Sequence, residues 1–173
     1  MDQTKHNATI CIDVTLETNG NRIEFRYQGA DDTSRNHVAQ NGDIDLCKSS
    51  ALGRGPVDLF FRLRTAPLIL EEMAYYPSFA TRDSIWITEA KCGMPAGTYR
   101  PRGIFACCGL RRSQFYGYSN PDSEPRGLRF SDRNDDGKEY KYTLRVLAVG
   151  AQGSRWLEDD PRIKNGGGGT GQK

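Results

Sequence analysis

The sequence predicts an all-β protein, a single antiparallel β-sandwich (Ig-like or jelly-roll-like) with at most one short helix; a closed barrel is the alternative. Three observations predict it. Apolar residues recur with period two wherever they show any period, and period two puts every second side chain on one face of a strand. Gly and Pro clusters such as Gly53-Arg54-Gly55-Pro56, Met94-Pro95-Ala96-Gly97 and Asn120-Pro121-Asp122 punctuate the alternating runs, as turns between short strands require. No segment sustains a helical period. At 173 residues the chain suits one domain, expected over residues 1–165 with roughly 7–10 strands. Residues 166–173, four glycines followed by Thr-Gly-Gln-Lys, have nothing to bury and are expected to form a disordered tail.

Taken in order, Ile10, Ile12, Val14 and Leu16 alternate on one face of the first strand. Asn19-Gly20 then reaches positive φ readily, and Ile23, Phe25 and Tyr27 resume the alternation, so residues 8–27 read as a hairpin. Residues 29–50 are polar and turn-rich, a long loop or insertion with short strands around Ile44 and Leu46. Val57, Leu59, Phe61 and Leu63 define another strand. Leu68 to Tyr76 is bracketed by Pro67 and Pro77 and suits a short helix or a bent strand equally well. Ile85 to Thr88 and Ile104 to Cys108 read as strands. The longest alternation is Tyr140, Tyr142, Leu144, Val146 and Ala148. There Leu147 and Val149 turn the second face apolar too, which predicts burial on both faces at that end. The expected core contains Ile10, Ile12, Val14, Leu59, Phe61, Ile85, Leu144 and Val146.

Composition narrows the function classes. An apolar fraction of 36% with 19 glycines supports a packed core. A net charge of +2 gives no broad positive field for binding polyanions. No apolar run spans a bilayer, and the polar stretch Met1 to Asn7 leads into no signal-like apolar segment. Five cysteines, an odd number, then suggest reduced thiols in a cytoplasmic protein. Their spacings, with only His6 and His37 available, match no zinc pattern.

Two segments stand out. Asp132-Arg133-Asn134-Asp135-Asp136-Gly137 matches the start of a calcium loop, in which alternate oxygen side chains converge on a hard cation. Position twelve of such a loop is a bidentate Glu, and here it is Thr143, so an EF-hand is excluded. Asp132, Asn134 and Asp136 remain candidate calcium ligands if other groups complete the shell; the alternative is a hairpin turn built of turn-forming residues. No other cofactor is implied. The second segment, residues 100–130, carries Arg100, Arg102, Arg111, Arg112, Arg126 and Arg129 interleaved with Phe115, Tyr116, Tyr118 and Phe130. Arginine pairs with phosphate and aromatics stack on bases or on sugar faces, so Arg100, Arg102, Arg111, Arg112, Tyr116, Tyr118, Arg126 and Arg129 are candidate ligand-binding residues; the alternative is a strand with its arginines on a wet face.

Catalytic patterns are thin. No nucleophile elbow, phosphate loop or held Cys–His pair is visible, and adjacent carboxylates such as Asp159-Asp160 point to opposite faces of a strand. A non-enzyme is expected.

The C-terminal third, with the turn Asp132 to Gly137, the strand Tyr140-x-Tyr142-x-Leu144, Trp156 and Asp160-Pro161-x-Ile163-x-Asn165, resembles the closing strands of small bacterial β-sandwich proteins of the inclusion-body protein family. The resemblance covers about 35 residues and implies a bacterial, intracellular β-sandwich with no catalytic residue. The expected function is a non-catalytic binding or interaction module for a protein or a glycan, a calcium-assisted lectin included. The alternatives are a single-stranded nucleic-acid binder through residues 100–130 and a self-assembling structural protein.

Overall fold

The computed structural model describes residues 7–20, 22–48, 52, 55–79, 84–89, 114–119 and 126–166. The expected strand at Ile104 to Cys108 and the tail beyond Gly166 lie outside them. The protein is all-β, with one four-residue helix among the described residues. Strands β1 (Ala8–Asn19), β2 (Arg22–Gly29), β4 (Val57–Leu63), β8 (Phe115–Ser119) and β9 (Gly127–Asp132) form one sheet in the order β2-β1-β4-β9-β8. The second sheet contains β3 (Ile44–Asp45), β5 (Leu68–Leu70), β6 (Met73–Ser78), β7 (Ile85–Glu89), β10 (Glu139–Gly150), β11 (Gly153–Asp159) and β12 (Arg162–Lys164).

The second sheet is organised around β10. On one side β11 pairs with Leu144–Gly150 and β12 with Glu139–Lys141 in a single continuous register. They are halves of one strand interrupted at Asp160-Pro161, where proline cannot donate to the ladder. On the other side β7 pairs with Tyr140–Leu144 and β6 with Leu147–Gly150, in two registers that differ by four residues.

Alternation makes the core. Ile10, Ile12, Val14, Leu59, Phe61, Ile85, Leu144 and Val146, the eight residues expected there, are all fully buried. Both sheets contribute: Phe61 of β4 meets Tyr142 of β10 at 5.6 Å between ring centroids, and Phe115 of β8 meets Tyr140 of β10 edge-on at 4.9 Å. Such pairs add roughly 1 kcal/mol each beyond their burial.

Several expectations need correction. The sheets are not purely antiparallel, since β1–β4 and β3–β12 are parallel pairs. The long connection from β2 to β4 allows the first of these, because a parallel neighbour requires a crossover of a dozen residues or more. Leu68 to Tyr76 is neither a helix nor a bent strand but the tight hairpin β5–β6, closed by the pair Leu70–Met73. Its turn residues Glu71 and Glu72 have φ of 50° and 66°, a left-handed pair that normally selects Asn-Gly. The one helix, α1 (Asp32–Arg35), lies inside the expected polar insertion and is capped by the Asp31 side chain, which accepts from the Ser34 N–H at 2.7 Å. It rests directly on Gly29, where a Cβ would stand 2.2 Å from the Arg35 nitrogen. Leu46 is buried but sits beyond the two-residue β3. His37 is buried and its Nδ1 lies 2.7 Å from the Asp45 carbonyl. Gly166 does not belong to a free tail, for its N–H donates to Asn134 Oδ1 at 2.6 Å. Among the described residues no helix is long and apolar enough to cross a membrane.

Candidate functional site

The segment after β9 is not a hairpin turn. Strands β9 and β10 belong to different sheets, so residues 133–138 carry the chain across from one sheet to the other, and the same turn-forming residues serve a corner. Asp132 and Asn134 are fully buried in it. Asp132 Oδ1 accepts three hydrogen bonds, from Gln114 Nε2 at 2.9 Å, the Asn134 N–H at 2.9 Å and Asn165 Nδ2 at 3.1 Å. Asn134 adopts the left-handed φ of 53° that asparagine tolerates. Asn165 Nδ2 also donates to Asp136 Oδ1 at 3.1 Å, which in turn receives the Lys138 N–H at 3.1 Å. The Tyr140 hydroxyl donates to Asp136 Oδ2.

The alternate oxygens of the motif do turn inward, but toward protein donors. Asp132 Oδ2 is the exception: buried and without a partner. Burial pushes the Asp132 carboxyl up to about 7, with nearby Asp136 adding to the rise and the three donors opposing it. Gln114 Oε1, Asn165 Oδ1 and Asn134 Nδ2 are likewise buried without partners. Sequence reading missed Gln114 and Asn165 as members of this cluster. They stand 18 and 33 residues from Asp132, so only the fold brings them together. Among the described residues there is no group of three His, Cys, Asp or Glu side chains placed to hold a metal.

The arginine and aromatic segment is partly described. Arg100, Arg102, Arg111 and Arg112 lie outside the described residues. Arg126 Nη1 donates to the Thr65 carbonyl at 2.9 Å, and Arg129 lies 4.9 Å over the Phe60 ring. Tyr116 is exposed on edge strand β8, while Tyr118 packs half-buried against the core.

A third surface was read wrongly from sequence. Leu147 and Val149 are not buried on their outward face: Leu147 is half-buried and Val149 is 44% exposed. Register places Val149 beside Tyr76, which is 58% exposed, and Leu147 beside Trp156, which is 37% exposed. Ile69 on neighbouring β5 is 60% exposed. Behind Trp156, the Arg145 guanidinium is held 4.3 Å from its ring and 4.1 Å from that of Trp86, and Arg145 Nε donates to Glu158 Oε1 at 2.6 Å. The indole is thus fixed between a stacked cation on one side and the outward surface on the other. At the opposite end of the same outer face, Thr143 and Thr88 are buried, so the apolar surface opens at one end only.

No known family model matches the chain, and no curated protein matches it.

Proposed function

We propose that the protein is a non-catalytic binding module, a single sandwich of its two sheets, that takes a neutral glycan on the open end of the β10 sheet. The observation that carries the reading is the display of Tyr76, Val149 and Trp156 on directly paired strands. Exposed contiguous apolar surface on a folded domain marks a recognition site. Trp156 and Tyr76 lie two strands and two residues apart, a diagonal of about 12 Å from strand spacing and rise. Two rings so spaced suit successive C–H faces of an extended saccharide, while Ser78 and Ser154 supply hydroxyl partners in the same rows. Arg145 is neutralised by Glu158 and shielded between two indoles, which favours an uncharged ligand.

The test is tryptophan fluorescence during titration with soluble neutral oligosaccharides at 50 and 200 mM salt. We expect binding that is insensitive to salt, and W156A and Y76A each weakening it about tenfold, the worth of one aromatic contact. Binding only to single-stranded DNA, with a steep loss between those salt concentrations, would favour the arginine segment instead. Light scattering that rises with concentration and is suppressed by V149S would make this face a self-assembly surface.

A further inference from the structure

We propose that the corner between β9 and β10 binds a hard, oxygen-seeking cation, calcium foremost, through Asp132 Oδ2, Gln114 Oε1 and Asn165 Oδ1. Each of these oxygens is buried and has no hydrogen-bond partner. Buried polar atoms are almost always satisfied, so three orphaned acceptors in one place call for an explanation. One place is what the hydrogen bonds define. Gln114 Nε2 and Asn165 Nδ2 both donate to the same Asp132 Oδ1, so both amide groups sit against that carboxylate. With Asp132 ionised, reversing the Gln114 amide would set oxygen against carboxylate oxygen, so the charged carboxylate selects this orientation.

Charge points the same way. The partners of Asp132 are neutral N–H donors, which cannot balance a buried carboxylate. Asp136 shares Asn165 Nδ2 with it, so a divalent ion would answer two carboxylates at once. An all-oxygen set of one carboxylate and two amides suits calcium, which accepts irregular shells of six to eight ligands, over magnesium, which demands a regular octahedron. Soft or nitrogen-preferring metals find nothing here.

The ligand set differs from the alternate-residue pattern of the sequence motif. Asn134 supplies no oxygen, because its Oδ1 accepts from the Gly166 N–H and its unpartnered Nδ2 is a donor. Gly166 is required where it stands, since a Cβ there would lie 2.8 Å from the Leu46 carbonyl oxygen. With three protein oxygens and water completing the shell, affinity falls on the order of 10⁻³ M, the weak end of calcium sites. The ion would tie the start of β8, the end of β9 and the segment after β12 into one joint between the sheets.

Melting curves in about 10 mM calcium, about 10 mM magnesium and chelator test the site. At that concentration the expected rise with calcium is about 4 °C over chelator, with little from magnesium. Terbium, a calcium substitute, should luminesce on tyrosine excitation through Tyr140, which sits on Asp136, and calcium should quench that signal by competition. D132N and Q114M should each abolish both responses; Q114M removes one oxygen and keeps the Asp132 charge, so it serves if D132N does not fold. W156A, which tests the glycan reading, should leave the calcium shift in place. A midpoint unmoved by calcium with no terbium emission overturns the proposal, as does a shift that survives in both corner variants. In the first case a midpoint that falls as pH rises from about 4 to about 7 would show that a proton occupies the carboxyl instead. A folded-state value raised to about 7 gives stability that is present at low pH and lost as pH rises through it.

Discussion

The outer faces of the two sheets solve the same problem in opposite ways. On the β1–β4–β9 sheet, outward side chains pair with one another: Asp13 receives Arg62 at 2.8 Å and Arg64 at 3.0 Å, Asp58 receives Ser131 at 2.6 Å and Asn7 at 3.0 Å, and Arg129 covers Phe60. On the open end of the β10 sheet, outward positions hold Tyr76, Leu147, Val149 and Trp156, with Ser78 and Ser154 beside them in the paired rows and Arg145 stacked on Trp156. The first face is polar and internally satisfied, as a solvated surface should be. The second exposes apolar area that nothing in its own rows covers. The difference teaches that alternation reports which residues share a face, whereas the chemistry of the outward set reports whether water or a partner meets it.

The largest effect should come from what the two faces share. Phe61 lies against both Phe130 and Tyr142, so F61A should cost about 3–5 kcal/mol. Because both sheets rest on it, denaturant unfolding followed by tryptophan fluorescence and by circular dichroism should still give one coincident transition. Separate transitions would mean that the faces belong to independent units. Next, R145A removes the cation between Trp86 and Trp156 and should destabilise by about 2 kcal/mol, measured by the same unfolding. A change below about 0.5 kcal/mol would show that the stacked cation does not support the open face. The double change E71N/E72G relieves two left-handed glutamates in the β5–β6 hairpin and should stabilise by about 1–2 kcal/mol. No gain would mean that the turn is held by its surroundings. Smallest are the two faces themselves. D13A should cost about 0.5–1 kcal/mol, less at high salt, while V149S should change stability by under about 0.5 kcal/mol yet weaken ligand binding. If D13A and V149S behaved alike in both assays, the contrast would fail.

Much of this architecture is legible in the amino-acid sequence. Ile10 to Leu16, Val57 to Leu63 and Tyr140 to Ala148 alternate so strongly that strand and inward face are read together, and every residue expected in the core is there. The failures have identifiable physical causes. Glu71-Glu72 carries none of the residues a left-handed two-residue turn prefers, so the β5–β6 hairpin had no local signature. Asp132 to Gly137 has turn chemistry that a hairpin and a crossing between sheets use equally, and only pairing partners distinguish them. Leu147 and Val149 look like buried residues because an apolar side chain carries no mark of what lies over it. Gln114 and Asn165 join Asp132 only through tertiary structure. Arg126 and Arg129 stand out by residue type alone, and the contacts they make, with the Thr65 carbonyl and the Phe60 ring, come only from the fold.

The pairing of β3 with β12 joins Ile44 to Ile163, and Tyr27 reaches Asp159 across 132 positions. A growing chain therefore makes β3 long before the strand that receives it. Until β10 to β12 emerge from the ribosome, β6 and β7 also lack the central strand to which they bond, and Ile85, Ile87 and Leu68 wait with no core to enter. Such long-range closure belongs with slow folding, in the range of milliseconds to seconds, and leaves unpaired edges open to other chains meanwhile. Truncation before Arg162 removes the strand that pairs with both β3 and β10, and should leave a chain that aggregates unless chaperones hold it.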